Sequence, residues 1–317
     1  MILVTGGAGY IGSACAHALI RQGYKVVIID NLSKGKKELV PKEAVFYHQD
    51  LKDIDIKEDI QAVVHFAGYK AVEESMEDAV KYSENIAGTI SLLNFMVKKG
   101  IKKIIFSSSA AVYGMPDKTV IDENTPTNPI NFYGYTKLAV EQLLEWYRRI
   151  HDIQFVALRY FNVAGDAGLN YVDPDAKNII PIIMEVLNRK REKLIIFGDD
   201  WDTRDGTCIR DYIDINDLVE AHILALKTEE SGIINLGTSN GVTVKELVNY
   251  TEEITNRKLN VVYGPRRPGD PAALTASNSK AKQALGWEPK TDIKEMIKTT
   301  LKAYQNDNTI SSNTSIQ

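Results

Sequence analysis

Cysteine is scarce in this sequence, which has 317 residues and two cysteines, Cys15 and Cys208. Two cysteines this far apart do not make the closely spaced pattern of a disulfide-stabilised secreted domain or of a zinc site. We therefore expect a cytoplasmic protein that has no structural metal ion.

The sequence also lacks a long hydrophobic run and a large excess of one charge. No apolar stretch approaches the roughly 18 residues that cross a bilayer, and a first strand predicted from residue 2 leaves no room for a secretory leader. The net charge is −4, which predicts neither a nucleic-acid partner nor a membrane partner. The hydrophobic content of 44% is ordinary for a globular protein.

The first thirty residues predict a strand, a turn, a helix and a second strand. Residues 2–4 and 26–29 are short runs of mostly branched apolar side chains, typical of buried parallel strands. Apolar residues between them recur at helical spacing up to Gly23, where the helix should end. A unit of this length matches a dinucleotide-binding βαβ motif.

The turn of this unit contains a Gly-x-Gly-x-x-Gly pattern. Glycine lets the backbone lie against a pyrophosphate, and the N-terminus of the following helix attracts the phosphates. Asp30 ends the second strand, where a carboxylate binds a ribose diol and repels a 2′-phosphate, so NAD is favoured over NADP. A plain glycine-rich turn is the alternative. The predicted NAD-binding residues here are Gly6, Gly9, Tyr10, Ile11, Gly12, Asp30 and Asn31.

Strand and helix patterns continue to alternate along the chain. Apolar runs at residues 44–48, 62–66, 103–106 and 155–158 predict strands, separated by helical patterns such as residues 72–99. Alternation of this kind predicts an α/β fold, a doubly wound parallel Rossmann-type sheet whose strands all end at one edge.

Beyond Asn162 the elements become shorter, which predicts a second, smaller α/β domain for the substrate. We place the cofactor domain at residues 1–162 and the second domain at 163–305, and one or two of its elements could return to the first sheet. Residues 306–317 are rich in Asn, Ser and Thr, and we expect them to be disordered.

Tyr133 and Lys137 place a phenol and an ammonium four residues apart on one face of a predicted helix. A tyrosine with a pKa near 10 is a poor base, but a lysine ammonium and a nicotinamide cation would both favour the phenolate. Tyr133 could then remove a proton from a substrate hydroxyl. Ser109, after a predicted strand, could donate or relay a hydrogen bond to that hydroxyl, or could simply cap the strand end.

These motifs together resemble the extended short-chain dehydrogenase/reductase family, and within it the UDP-glucose 4-epimerases. The closer likeness is carried by residues 5–12, 65–72, 106–114, 159–162 and 210–212, and it covers almost the whole chain. It implies a tightly held NAD and inversion at C4 of a UDP-hexose through a transient 4-keto sugar. Tyr133 would be the base, and Lys137 would bridge the nicotinamide ribose. The likeness also implies a homodimer packed through long helices such as the one with Tyr133.

The same resemblance assigns further residues to the two ligands. Around NAD it implies Asp50 and Leu51 at the adenine, Phe66, Ala67 and Gly68 at the nicotinamide, and Lys70, Asn85, Ser107, Tyr133, Lys137 and Tyr160 nearby. Around the UDP-sugar it implies Lys70, Ser109, Tyr133, Phe161, Asn162, Asn178, Ile179, Phe197, Arg210, Arg267, Asp270 and Leu274. The two arginines suit a diphosphate and Asp270 suits a ribose, although residues 264–270 alone could be a basic surface loop.

Two positions depart from the epimerase pattern: Asp214 stands where the family usually has histidine, and Ala111 where it often has threonine. Within the fold, the alternatives are a UDP-N-acetylglucosamine 4-epimerase, a UDP-glucuronate epimerase or decarboxylase, and a 4,6-dehydratase. Dehydratases resemble Thr-Asp-Glu where this chain has Ser109-Ala110-Ala111, and a methyl group cannot transfer a proton. A non-catalytic NAD-sensing protein would typically lack the Tyr–Lys pair. Leu274 does not decide whether an N-acetylated sugar fits.

Overall fold

The structure is a computed structural model that describes residues 1–267 and 269–314, with side chains described up to residue 307. The strands are, in chain order, β1 (Ile2–Thr5), β2 (Val26–Asp30), β3 (Val45–His48), β4 (Ala62–His65), β5 (Lys103–Ser109), β6 (Val120–Ile121), β7 (Gln154–Tyr160), β8 (Asn162–Ala164), β9 (Leu194–Phe197), β10 (Ile209–Arg210), β11 (Tyr212–Asp214), β12 (Gly232–Leu236), β13 (Val242–Thr243), β14 (Val261–Gly264) and β15 (Ala273–Ala276). The helices are α1 (Tyr10–Arg21), α2 (Val72–Glu77), α3 (Ala79–Lys99), α4 (Phe132–His151), α5 (Ile179–Leu187), α6 (Ile215–Lys227), α7 (Val244–Thr255), α8 (Ser279–Leu285) and α9 (Ile293–Thr314).

Seven parallel strands form the central sheet, in the order β12-β7-β5-β4-β1-β2-β3. Every residue of β1, β2 and β4 is buried, because helices cover both faces and branched apolar side chains fill the space between. The predicted doubly wound parallel sheet is therefore confirmed. The strand order changes direction at β1, which places a crevice between the carboxyl ends of β1 and β4.

Two hydrophobic layers hold the helices onto the sheet. On one face, Leu19 of α1 and Leu218 of α6 pack with Trp287, all of them buried. On the other face, Leu93 of α3 packs with Leu144 of α4. Because both layers are continuous with the strands, the sheet edge that carries the site rests on a rigid base.

The second half of the chain builds smaller sheets, with strand order β13-β10-β15-β6 in one and the pairs β11-β8 and β14-β9 beside it. Its core packs α5, α7 and α9 together through residues such as Met184, Leu247 and Met296. Strand pairing crosses residue 162 in both directions. β12 joins the central sheet beside β7, and β6 joins β15 in the second half.

Three local features differ in detail from the sequence prediction. The helical pattern over residues 72–99 is two helices, because Asp78 leaves the helical conformation and caps α3 through the Lys81 N–H. Strand β5 continues through the three serines, 107–109, instead of stopping before them. Helix α9 extends to Thr314, through most of the tail expected to be disordered, and residues 315–317 lie outside the described residues.

Among the residues with described structure, no helix has both the length and the apolar character required to cross a bilayer. Groups of three or more His, Cys, Asp or Glu side chains arranged to hold a metal ion are likewise absent from the described part of the chain. Cys15 and Cys208 are both free and buried.

Candidate active site

The glycine turn forms a close-packed cradle in front of α1. Gly6 has a φ of +68°, and a Cβ added to it would lie 2.7 Å from the Ala67 amide nitrogen. A Cβ added to Gly12 would lie 2.1 Å from the Gly6 carbonyl oxygen. Gly9 precedes α1, and within the described chain no side chain caps this helix end. The free N–H groups of Tyr10 and Ile11 therefore suit a pyrophosphate.

Asp30 ties the end of β2 to this cradle. One carboxylate oxygen accepts the Ala8 N–H at 3.0 Å and the other accepts the Leu32 N–H at 2.8 Å. Next to it, the Asn31 amide donates to the Asp50 carboxylate at 2.9 Å, and Leu51 begins a short 3-10 turn. The fold thus brings together all four residues, 30, 31, 50 and 51, that the sequence assigns to the adenosine end of NAD.

The tip of β4 lies directly beside the glycine turn. The Ala67 N–H donates to the Thr5 hydroxyl at 3.3 Å, and the next residue, Gly68, has a φ of +154°. Asn85 of α3 holds the following residue, since its amide accepts the Tyr69 N–H at 2.8 Å and donates to the Tyr69 carbonyl at 3.0 Å. Asn85 therefore fixes the backbone at the nicotinamide side, which is a positioning role.

Lys137 is buried beside Tyr133 on α4. Its ammonium donates to the Ser107 carbonyl at 2.8 Å and lies 5.8 Å from the centre of the Tyr133 ring. Burial lowers the pKa of Lys137 to about 8, and the Glu141 carboxylate acts in the opposite direction. The Ser107 hydroxyl and the Tyr160 phenol form a hydrogen bond. Ser107 thus contacts both Lys137 and Tyr160 at the end of the central strand.

Burial raises the pKa of the Tyr133 phenol above its ordinary value, while a hydrogen bond from Ser109 lowers it. From the sequence, we expected the Lys137 ammonium and a nicotinamide cation to lower the pKa of Tyr133. Among the residues of the chain, the lowering comes from Ser109 and the stronger opposing effect from burial. The residues of the chain alone therefore do not favour a phenolate at Tyr133.

Several residues assigned to the UDP-sugar contact one another in the second half of the chain. Arg210 lies 3.4 Å from the Asp270 carboxylate, and the guanidinium of Arg267 stacks 4.1 Å from the Phe197 ring centre. Leu274 is the register partner of Arg210. The predicted turn at residues 264–270 includes Pro268, which lies outside the described residues.

The other assigned positions are distributed over both halves of the chain. Asn178 precedes α5 and Ile179 begins it. Phe161 is buried, and the Asn162 amide donates to the Asp211 carbonyl at 3.0 Å. Lys70 lies 3.3 Å from Asp173, in a salt bridge that joins the two halves of the chain.

Asp214 and Ala111, the two departures from the epimerase pattern, have identifiable surroundings. Asp214 caps α6 by accepting the Asn216 N–H at 2.8 Å, and its burial raises the pKa of the carboxyl. A Cβ on Gly165 would lie 2.3 Å from that carboxylate, so glycine is required there. The Ala111 N–H donates to Ser109 at 3.2 Å, which helps to hold the Ser109 hydroxyl.

Sequence reasoning missed several buried polar residues behind the site. Glu141 and Arg159 form a buried ion pair next to Ser108. His222 packs 4.7 Å from Phe66 and 6.2 Å from Tyr160, ring centre to ring centre, and burial lowers its pKa to about 4. The spacing of Glu141, four residues after Lys137, was a usable signal; His222 gave none, because a single histidine in a helical pattern is ordinary.

Sheet order, glycine cradle and the Tyr–Lys pair define a dinucleotide-binding protein of the short-chain dehydrogenase/reductase type. Comparison with known proteins agrees: residues 2–237 match the model of the NAD dependent epimerase/dehydratase family, so the chain belongs to that family.

Its relatives include several curated UDP-glucose 4-epimerases, as the sequence resemblance implied. The enzyme of Halalkalibacterium halodurans is 44% identical over 303 residues, covering 91% of this chain and 90% of that protein. The enzyme of Lactobacillus helveticus is 41% identical, with 96% of this chain and 97% of that protein covered. The solved structure of the Bifidobacterium longum UDP-glucose 4-epimerase with NAD⁺ and UDP superposes with a TM-score of 0.89 at 36% identity, covering 97% and 98% of the chains.

Replacing Gly12 with alanine tests the cradle. The added methyl would lie 2.1 Å from the Gly6 carbonyl oxygen, so the turn must open, and we expect the free energy of unfolding to fall by about 1–3 kcal/mol. The purified variant should also carry less NAD. Gly264→Ala is the control, because its methyl would lie 3.2 Å from the Ile195 side chain in the second half of the chain, at residues that are not assigned to NAD. The bound NAD is measured after denaturing extraction. Equal NAD content in both variants would contradict the assignment of residues 6–12 to the pyrophosphate of NAD.

Proposed function

We propose that this chain is a UDP-glucose 4-epimerase that uses bound NAD to invert C4 of a UDP-hexose. The observation that carries the proposal is the placement of Tyr133, Lys137 and Ser109 at the carboxyl edge of the central sheet, beside the glycine cradle. The family match and the curated relatives support it.

The residues around the crevice fit NAD. The cradle at residues 6–12 would hold the pyrophosphate, Asp30 the adenosine ribose, and Lys137 the nicotinamide ribose. When bound, NAD supplies an acceptor and donor of hydride at C4 of the sugar. Asp30 is buried and already accepts two backbone N–H groups, which fixes its carboxylate in a direction suited to a diol.

Tyr133 would exchange a proton with the C4 hydroxyl of the sugar. The Ser109 side chain lowers the pKa of the Tyr133 phenol, so Ser109 would hold the phenol and the C4 hydroxyl of the sugar in position for proton transfer. Because the same proton must leave and return, one residue would serve as base in the first half of the reaction and as acid in the second. The keto sugar would turn over between the two halves and present its opposite face.

Across the crevice, Arg267 and Arg210 would bind the diphosphate. Arg267 is partly exposed and stacked on Phe197, and its guanidinium lies 3.9 Å from the Glu73 carboxylate, a long ion pair that a diphosphate could replace. Arg210 is held by the carbonyls of Ile209 and Pro271 at 2.9 and 2.8 Å, and it pairs with Asp270. Two guanidinium groups facing one anion suit a diphosphate, because each can donate two parallel hydrogen bonds to phosphate oxygens.

The central test is incubation of the purified protein with UDP-galactose and separation of the products. We expect UDP-glucose. Tyr133→Phe should lower kcat about 100- to 10,000-fold, because the proton acceptor is gone, and should leave NAD bound. The control is Tyr135→Phe, an exposed tyrosine on the same helix. Normal turnover by Tyr133→Phe would refute the base assignment, and a dehydrated or decarboxylated product would identify one of the alternative reactions.

Arg266 and Arg267 allow a matched test of the diphosphate site. We expect Arg267→Ala to raise the KM for UDP-galactose about 10- to 150-fold, since a charged hydrogen bond contributes roughly 1.5–3 kcal/mol. Arg266→Ala should change KM little, because Arg266 pairs with Asp200 at 2.7 Å and stacks on Trp201. Equal KM values for Arg267→Ala and the unmodified protein would remove Arg267 from the site. Steady-state kinetics on both variants decides this.

We also propose a cytoplasmic homodimer. Helices α3 and α4 pack side by side and expose Ile90, Val97, Trp146 and Ile150, which together form an apolar surface on the outer side of the pair. Two copies of this surface could pack as a four-helix bundle around a two-fold axis. The free, buried state of both cysteines supports a reducing compartment.

Sedimentation tests the dimer. Trp146→Glu places a charge in the centre of the apolar surface on α3 and α4, and we expect it to shift the protein from dimer to monomer. Ile195→Glu is the control, because Ile195 is an exposed apolar residue on β9, away from these helices. Dissociation by both variants, or by neither, would count against this surface.

A further inference from the structure

Glu141 continues a row of functional side chains along α4. Tyr133, Lys137 and Glu141 are spaced four residues apart, so they share one face of the helix. Glu141 is buried, with 4% of its surface exposed. A carboxylate is almost never buried at this depth unless it is paired, and its position one turn beyond Lys137 places it behind the site.

Arg159 of β7 supplies the partner of Glu141. Its guanidinium binds the carboxylate through two hydrogen bonds, of 2.9 and 2.6 Å, and Arg159 is itself buried. The guanidinium also stacks 4.8 Å from the centre of the Tyr113 ring, whose hydroxyl donates to Asn235 at 2.7 Å. Arg159 is therefore fixed from two sides, and the direction of the Glu141 carboxylate is fixed with it.

The end of β5 connects this pair to the active site. The Ser108 hydroxyl donates to Glu141 at 2.5 Å. Its neighbours also face α4, since the Ser107 carbonyl accepts from Lys137 at 2.8 Å and the Ser109 side chain is near enough to Tyr133 to lower the pKa of its phenol. Three consecutive serines are thus held against three residues of α4.

The remaining ionisable groups around Lys137 add no negative charge. His65 of β4 is buried between Thr5 and Thr89, and burial, with a smaller effect of Lys137, lowers its pKa to about 3, so it is neutral. Tyr160 of β7 is a phenol whose pKa burial raises. Tyr133 is likewise protonated in the chain itself. Glu141 is therefore the acidic side chain that acts on Lys137 within the described structure.

We propose that Glu141 and Arg159 are positioning residues: Glu141 keeps the buried Lys137 ammonium charged, and Arg159 holds the carboxylate where it does so. This inference rests on the proposed function for its catalytic meaning. Under that function a charged Lys137 would donate hydrogen bonds to the ribose hydroxyls of NAD and would add to the positive charge of the nicotinamide beside Tyr133. The Coulomb effect of Glu141 works against burial, which lowers the pKa of Lys137.

Single and double substitutions of the pair separate an electrostatic role from a structural one. In Glu141→Gln the guanidinium of Arg159 is left without its counter-charge, so we expect the pKa of Lys137 to fall by about one unit, a tenfold change in its charged-to-neutral ratio. In Arg159→Met the carboxylate is unpaired, and the pKa should rise. The double variant removes both charges and should lie between the two.

NMR titration of isotope-labelled lysine in the NAD-loaded protein measures this pKa directly, with the Lys137 resonance assigned by its loss in Lys137→Met. The alkaline limb of the kcat profile with UDP-galactose should move in the same direction in each variant. Asp217→Asn is the control: Asp217 is a buried carboxylate that binds the Lys290 and Thr291 N–H groups at 2.9 Å, away from α4. It should lower stability and leave the Lys137 titration unchanged.

Shifts of the same sign in Glu141→Gln and Arg159→Met, or no shift in either, would overturn the proposal. If one single variant does not fold, the double variant is compared with the unmodified protein instead, since it leaves no unpaired charge. We expect the double variant to lower the pKa of Lys137. An unchanged pKa would overturn the proposal. The titration does not depend on turnover, so a protein inactive on UDP-galactose would refute the proposed function and still test this inference.

Discussion

A positive charge held inside the protein is the constraint on which the site depends. The ammonium of Lys137 is buried, donates to the Ser107 carbonyl and lies between the Phe106 and Tyr133 rings. Burial disfavours this charge more than the Glu141 carboxylate favours it, so the pKa of Lys137 is lowered to about 8, below the value of about 10.5 in the unfolded chain. The native state is therefore destabilised by this group below pH 8, and this contribution disappears as the pH rises towards 10.5. A residue that lowers the stability of the free protein at neutral pH is typical of a functional site.

The parallel sheet explains why the necessary groups meet around this charge. Strands β1, β4 and β5 lie next to one another and run in the same direction, so the glycine turn, the Phe66–Gly68 segment and the three serines follow at one edge. Helix α4 packs against β5 at the same edge, and its face with Tyr133, Lys137 and Glu141 carries the side chains discussed above. No single element contains a complete site, but each contributes one part at the point where its strand ends.

The sequence was sufficient to predict the parts whose signal is local. Gly6 has a φ of +68°, and α1 begins without a side-chain cap. Both features are visible as a pattern in adjacent residues of the sequence. The Tyr133–Lys137 spacing is likewise a property of one helix. The sequence left open a return of one or two elements to the first sheet, but the strand order and the identity of the exchanged strands, β6 and β12, depend on pairings between residues more than seventy positions apart.

The same reasoning explains why the raised pKa of Tyr133 was not foreseen. Spacing shows which charges are near a phenol, but the degree of burial follows only from tertiary packing, and here burial outweighs the Ser109 hydrogen bond. The protein alone therefore keeps Tyr133 protonated, and under the proposed function the phenolate would become available only with a cationic nicotinamide bound beside it. A dependence of this kind couples proton removal to the oxidised state of the cofactor. The phenol would then lose its proton readily only when a hydride acceptor is bound. The sugar hydroxyl would therefore not be deprotonated without hydride transfer.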